Sequence, residues 1–476
     1  MQTPINFEAL SLSPLLIEVV RELGFEKLTP IQARAIPILL EGKDVIGQAE
    51  TGSGKTVAFA LPLLEQLGSD LNHRRLLQAL VLCPTRELCI QVTREIRKLG
   101  RRHPGLQVLA LAGGQPIYGQ LSALEKGVHI AVGTPGRVLD HVIRQTLDLR
   151  KLKFLILDEA DRMLDMGFEN EMKKILAAVP KTRQTAFFSA TYPKSIEAMS
   201  RAYQNHPVHV KIDERSENQQ VIKQLFYETT HEMKLKALLW LLQQNRAESA
   251  IIFCNFKTTV IQLGETFAQS GLSAACLHGD MEQSDRDRVM AKFRNLSTRL
   301  LISTDVAARG LDIENLDLIV NYELPATPAI YVHRIGRTGR AGKRGLAISI
   351  MTSREKGKLQ NIEKFTKAKI ERKTVAPLEN GDLESLKRTL QQERQADVKM
   401  ATLFISGGRK EKLRPGDILG ALTGDAGKLS AQDIGKIEIH DHFSYVAISK
   451  AIANLALERL RKGQIKGRRF RIEPVR

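Results

Sequence analysis

Ala49 Glu50 Thr51 Gly52 Ser53 Gly54 Lys55 Thr56 has the spacing of a phosphate-binding loop, with Ala49 where the first glycine is usual. A glycine-rich turn that opens a helix lets backbone N–H groups surround phosphate oxygens, while Lys55 reaches the β- and γ-phosphates and Thr56 faces Mg²⁺. Farther along, Asp158 Glu159 Ala160 Asp161 follows the apolar run Phe154 to Leu157, which reads as a buried strand. Asp158 then stands at a strand end, placed to hold the metal through water, with Glu159 beside it to orient or deprotonate an attacking water. Either motif alone could be an ordinary turn or a solvated helix start. Together they imply an open α/β domain that binds and hydrolyses a nucleoside triphosphate.

Working outward, apolar runs at 79–83, 108–111, 129–132, 154–157 and 186–188 alternate with amphipathic helical segments. That is the pattern of a parallel sheet with helices on both faces. A second set, at 250–254, 274–277, 299–303, 318–321 and 346–350, follows the polar stretch 213–220 and has no phosphate-binding loop. Two α/β domains in tandem are therefore expected, the second closing on a nucleotide held by the first. Residues 353–398 are charged and read as a helical end to the second domain followed by a connector. From residue 399 the order strand, helix, strand, strand, helix, strand is that of an RNA-recognition fold.

Composition narrows the class. At 476 residues the chain is too long for one core, and no run of 18 apolar residues or basic-then-apolar leader occurs, so a membrane-spanning or secreted protein is disfavoured and a cytoplasmic one expected. Cys83, Cys89, Cys254 and Cys276 lack paired spacing, which speaks against a zinc site or a disulfide framework and for reduced core residues. The net charge of +18 and pI near 9.7 favour polyanionic partners. From Lys399 onward sixteen Lys and Arg face eight Asp and Glu, so the tail is the more basic part.

Further motifs carry a resemblance. Gly24 Phe25 Glu26 Lys27 Leu28 Thr29 Pro30 Ile31 Gln32, Pro84 Thr85 Arg86 Glu87 Leu88, Gly113 Gly114, Thr134 Pro135 Gly136 Arg137, Ser189 Ala190 Thr191, the run Thr304 Asp305 Val306 Ala307 Ala308 Arg309 Gly310 Leu311 Asp312, and His333 Arg334 Ile335 Gly336 Arg337 Thr338 Gly339 Arg340 recur along the first two domains. With the two motifs above, residues 5–370 resemble the helicase core of the DEAD-box family of ATP-dependent RNA helicases. The resemblance implies an α/β fold of two tandem RecA-like parallel-sheet domains, at 1–210 and 211–370, a connector at 371–398 and a small α+β RNA-recognition-like domain at 399–476.

It also implies roles. ATP with Mg²⁺ is the cofactor pair: Gln32 hydrogen-bonds the adenine edge, Phe25 packs on the ring with Phe7 as upstream aromatic, Ala49 to Thr56 hold the phosphates, Thr56 and Asp158 serve the metal, and Asp305 contacts the ribose. Lys55, Asp158, Glu159, His333 and the arginine fingers Arg337 and Arg340 form the hydrolytic set. Ser189 and Thr191 couple ATP state to RNA state through Asp161. Pro84, Thr85, Arg86, Gly113, Gly114, Thr134, Pro135, Gly136, Arg137, Gln283, Arg286, Thr304, Arg309 and Gly310 contact RNA, largely its backbone.

The run Arg414 to Asp425 and then Asp433 to Ile437 looks like the carboxyl module of a bacterial subgroup of that family, which recognises a hairpin of 23S ribosomal RNA and acts in large-subunit assembly. Arg409, Lys410, Lys412, Arg414, Lys466, Arg468 and Arg469 are the basic candidates for phosphate contact. Tyr445 and Phe443 are stacking candidates, with core packing as the ordinary alternative, and their stretch departs from the usual aromatic RNA-reading motif. The expected protein is an RNA-dependent ATPase, read as a monomer, that separates short duplexes and acts on large-subunit precursors. A DNA translocase of the same superfamily and a non-catalytic RNA clamp are the rival readings; the intact hydrolytic set argues against the clamp.

Overall fold

The computed structural model describes residues 6–49, 52–67, 71, 76–114, 116–212, 222–308, 316–339, 345–375, 382–424 and 429–475. Glu50, Thr51, Arg309, Gly310 and Arg340 of the expected sites lie outside these. The chain divides near residue 220 into two compact units.

The first unit is built on seven parallel strands, β1 (Val45–Gln48), β2 (Ala79–Leu82), β3 (Val108–Leu111), β4 (Ile130–Gly133), β5 (Phe154–Asp158), β6 (Gln184–Ser189) and β7 (Val208–Lys211), in the order β3-β4-β2-β5-β6-β1-β7. Their interior members read as continuous apolar runs because helices cover both faces. One core packs the helix Lys55–Leu67 and its neighbours against Val81, Ile156 and Phe188, and another packs Leu80, Leu155 and Phe187 on the opposite face. β1 and β7 escape a periodicity reading: β1 has four residues with a glycine among them, and β7 is an edge strand alternating with polar positions.

The second unit holds a matching parallel sheet, β8 (Ile222–Glu228), β9 (Ala250–Cys254), β10 (Ala274–Leu277), β11 (Leu300–Thr304), β12 (Leu318–Asn321), β13 (Gly345–Met351) and β14 (Glu371–Thr374), in the order β10-β11-β9-β12-β13-β8-β14. The stretch 371–398, expected as a connector, is different. Its first residues form the edge strand β14 paired to β8, and its helix Asp382–Asp397 lays Leu386 and Leu390 into the core of the second sheet. Glu371, Arg372, Lys373 and Thr374 carry no apolar signal because an edge strand pairs through its backbone alone, and charged edges resist unwanted pairing.

The same unit ends in a four-stranded antiparallel sheet, β15 (Met400–Ile405), β16 (Ile434–Ile439), β17 (Ser444–Ser449) and β18 (Ile472–Pro474), in the order β16-β17-β15-β18. The helices Pro415–Thr423 and Ala453–Lys462 cover one face, burying Leu403, Ile405, Val446 and Ile448 against Ile418 and Leu460. The opposite face carries Thr402, Phe404, Glu438 and Tyr445, and it packs on the second domain. Asn295 Nδ2 donates to Thr402 Oγ1 (3.2 Å), the hydroxyls of Ser297 and Thr402 lie 2.7 Å apart, and Arg294 pairs with Glu438 at 3.1 Å. Burial alone would raise the Glu438 carboxyl, but the His440 ring, Arg294 and Lys436 outweigh it and hold it at about 2. Tyr445 is 2% exposed, and burial pushes its phenol up to about 12. The stacking role expected of Tyr445 is thereby corrected: an aromatic inside a packed interface offers no face to a base.

Cys83, Cys89 and Cys254 are buried free thiols and Cys276 is partly buried. Among the described residues no helix is long and apolar enough to cross a membrane.

Candidate active site and RNA interface

Apart from Phe7 and the segment Gly24 to Gln32, which precede β1, the first-unit motifs fall at the carboxyl ends of its strands, where ligands of open α/β sheets bind. The sheet order sorts them. The ends of β5, β6 and β1, neighbours in space, carry the triphosphate chemistry; the ends of β3, β4 and β2 carry the motifs expected at RNA.

On the triphosphate side, Gly52 and Gly54 have φ of +85° and +90°, a region open to glycine and strained for other residues. Lys55 is 6% exposed, its Nζ donating to Ala49 O (3.1 Å), and Ala49 N donates to Ser189 O (3.0 Å), so the loop is tied to β6. Gln32 closes a capping box with Thr29 through Oε1 and donates from Nε2 to Gly54 O (3.1 Å). Its amide thus braces the phosphate-binding loop here. Phe7 is 2% exposed and its ring lies 6.3 Å from that of the partly exposed Phe25.

Asp158 ends β5, and Glu159 after it takes the left-handed conformation, φ +54°, uncommon for a residue with a side chain and typical of functional turns. Asp158 Oδ1 and Glu159 Oε2 are buried and make no hydrogen bond. Burial raises the Asp158 carboxyl to about 7, against the pull of Lys55 and with the push of Glu159. Glu159 Oε2 also lies 4.0 Å from Arg162 Nε; the unsatisfied Asp158 oxygen beside the phosphate loop is what an incoming cation would satisfy, so Asp158 fits Mg²⁺. Among the described residues no group of three or more His, Cys, Asp or Glu could hold a metal, so phosphate oxygens and water would complete its shell. Asp161 Oδ2 accepts from Thr191 N (2.9 Å) and Thr191 Oγ1 (2.7 Å), while Ser189 Oγ donates to Thr191 O (2.6 Å). The acidic motif and the β6 end are one hydrogen-bonded piece.

On the other half, Thr85 Oγ1 caps the helix Arg86–Leu99 by accepting from Leu88 N (3.3 Å), and Thr134 stands at the N-terminal end of Pro135–Ile143. Gly114, at φ +71°, lies under the Arg86 guanidinium: a Cβ there would stand 1.8 Å from Nη1. Gly114→Ala should displace Arg86 and weaken RNA stimulation of ATP hydrolysis while leaving ATP affinity unchanged, which a titration of ATPase rate against RNA checks. Arg137 Nη1 donates to Gln120 Oε1 (2.9 Å), joining the ends of β4 and β3.

In the second unit Thr304 ends β11 and Arg286 Nη2 reaches Ala307 O (3.3 Å) from the helix Gln283–Arg294, where Gln283 bonds Asp287. Asp305, expected at the ribose, is held from the protein side by a buried arginine. Both its oxygens are taken by Arg334, from Nε (2.6 Å) and Nη2 (2.7 Å). Arg334, 2% exposed, spends its other donors on Asn321 Oδ1, Glu323 O and Asn255 Oδ1, and its Cζ lies 5.1 Å from the Phe253 ring centroid. All five N–H groups are thereby used. Arg334 is the residue sequence reasoning passed over, since among four basic neighbours only burial distinguishes it. Arg334→Ala should destabilise the second domain by about 3–5 kcal/mol, because it empties a buried guanidinium site and leaves the half-buried Asp305 and the acceptors on Asn321, Glu323 and Asn255 without their donor, as denaturant unfolding would measure. Arg337, close behind it, is 7% exposed.

Comparison with known proteins agrees with this geometry. Residues 29–199 match the DEAD/DEAH box helicase family, 233–342 the helicase conserved C-terminal domain and 402–474 the DbpA RNA binding domain. The ATP-dependent RNA helicase DbpA of Escherichia coli is 45% identical over 97% of both chains. This chain belongs to the DEAD-box ATP-dependent RNA helicases. The helicase also shares 44% identity with the CshA RNA helicase of Bacillus anthracis, over 84% of this chain and 74% of that one. In structure it resembles Saccharomyces cerevisiae Dbp5 bound to RNA and ADP BeF3, with a TM-score of 0.69 and 31% identity over 81% of this chain and 99% of that one. It is an RNA-dependent ATPase whose carboxyl domain is of the DbpA RNA-binding type.

The helicase's basic tail residues gather from two loops. Lys412, at φ +61°, and Lys466, at φ +53°, bracket a contact in which Lys466 Nζ donates to Lys412 O (2.8 Å) and approaches Asp417 (3.4 Å). Arg409, Lys410, Arg414, Arg468 and Arg469 are exposed on these same loops. Two basic loops more than fifty residues apart in sequence are thus joined at Lys412 and Lys466.

Proposed function

We propose that this helicase separates short RNA duplexes and remodels 23S ribosomal RNA during assembly of the large ribosomal subunit in the bacterial cytoplasm. The observation carrying the reading is the DbpA-type domain with its two joined basic loops, attached to a core that keeps Lys55, Asp158, Glu159 and Arg337. The core motifs address the RNA backbone and tolerate many sequences, so the tail supplies the target and raises the core's local concentration there. The hairpin lies on the loop surface of Arg409, Lys410, Lys412, Arg414, Lys466, Arg468 and Arg469.

ATP and single-stranded RNA each favour closure of the two domains, and by linkage each strengthens the other's binding. Lys55 and the loop amides hold the phosphates, Asp158 and Thr56 would hold Mg²⁺, and Glu159 takes a proton from the attacking water. The metal supplies Lewis-acid stabilisation of the phosphate charge. Arg337 and Arg340 meet the charge that grows on the γ-phosphate, and Thr191 with Asp161 relays the change toward the RNA half.

Ending the chain after residue 398 should leave RNA-stimulated hydrolysis but abolish preference for the ribosomal hairpin over an unrelated one. The full chain's hairpin affinity should fall as salt rises, because Lys and Arg contacts release counterions. Titrations of both proteins at two salt concentrations check this; equal affinity of the full chain for both hairpins would reduce the tail to a general basic tether.

A further inference from the structure

Two segments of the first domain, the loop after β3 and the helix Pro135–Ile143, converge on the side chain of Gln120, which is 5% exposed. Its Nε2 donates to Ala112 O (3.0 Å), the carbonyl just before Gly113. Its Oε1 accepts from Arg137 Nη1 (2.9 Å) and lies 3.0 Å from His141 Nε2. A carboxamide oxygen has two lone pairs, and donors take both. Turned over, the amide would set its NH₂ against two N–H groups and its oxygen against a carbonyl, so one orientation alone satisfies the site. The same logic makes His141 Nε2 the protonated nitrogen and leaves Nδ1 to face Thr146 Oγ1 at 2.8 Å. His141 is fully buried, and burial pushes its pKa down, with Arg137 adding to the effect.

We infer that Gln120 is a positioning residue for RNA, setting the spacing between the Gly113–Gly114 loop and the Arg137 guanidinium. The inference rests on the assignment of those groups to the RNA backbone. One nitrogen of Arg137 is pinned while the side chain stays partly exposed, so its remaining donors face solvent in a set direction. A long side chain held this way loses less rotamer freedom on binding. Because the Arg86 guanidinium already lies against Gly114, Gln120 makes Arg86, the glycine loop and Arg137 a single array. Conserving the acceptor matters as much as the fold: Q120E keeps an oxygen for Arg137 and His141 but sets its other oxygen against Ala112 O.

The test uses the full chain with a short single-stranded RNA, reading RNA KM, ATP KM and kcat for Q120L, Q120E, R137A and the double variant Q120L/R137A. Q120L should raise the RNA KM about 10-fold or more, the scale of a lost hydrogen bond to a charged group, with ATP KM and kcat at saturating RNA unmoved. Q120E should fall between Q120L and the parent. In the R137A background Q120L should add little, since the two act as one unit. An unchanged RNA KM in Q120L, or additive effects in the double variant, would overturn the inference while leaving Arg137 at the RNA. Loss of kcat and ATP affinity in both Q120L and Q120E would show a general packing role and overturn it too. If R137A itself leaves the RNA KM unmoved, the RNA assignment of Arg137 falls and takes the inference with it.

Discussion

Glu159→Gln is expected to leave ATP and RNA binding in place while turnover drops by about 10²- to 10⁴-fold, the range for a positioned general base. Glutamine has the shape of glutamate, so the buried left-handed turn at φ +54° and the helix start it makes should survive. What is lost is the oxygen at Oε2, which is buried and makes no hydrogen bond, and with it the capacity to accept a proton from water. Nucleotide binding and single-turnover hydrolysis, measured side by side, separate the two. Near-normal turnover would sink the assignment of Glu159 to the chemical step and leave it a structural turn residue.

Arg337→Ala is expected to lower turnover by about 10³-fold or more, as for other arginine fingers, with ATP affinity nearly unchanged. The backbone of Arg337 is held independently of its side chain: its N–H donates to Arg334 O and its carbonyl accepts from Leu316 N. Those backbone bonds remain in the variant, and denaturant unfolding beside the parent checks that it folds. Steady-state kinetics at saturating RNA would check the loss of turnover, and a change confined to ATP affinity would show that Arg337 binds the ground state instead.

How much was legible depended on the distance over which each feature is decided. β9 and β12 match their apolar runs residue for residue, because a strand buried on both faces is apolar nearly throughout; β3 and β10 match theirs too, although they are half-buried edge strands. β14 left no trace, since it contributes backbone hydrogen bonds at a sheet edge and no core side chain.

The sequence by itself determined the triphosphate chemistry, since Gly52, Gly54, Lys55, Thr56, Asp158 and Glu159 act through local spacing at two strand ends, and a motif of a few residues carries that spacing wherever the strands lie. It also determined the tandem α/β plan and the βαββαβ tail through apolar periodicity. The tertiary structure alone decided who partners whom. That Arg334 holds both oxygens of Asp305, that Thr402 and Glu438 turn the Tyr445 face against Asn295 and Arg294, that Lys466 brings one basic loop onto another and that Gln120 ties Ala112 to Arg137 all follow from contacts between residues distant in the chain. Satisfying a buried charge or amide is a condition on three-dimensional neighbours, and no local pattern encodes it.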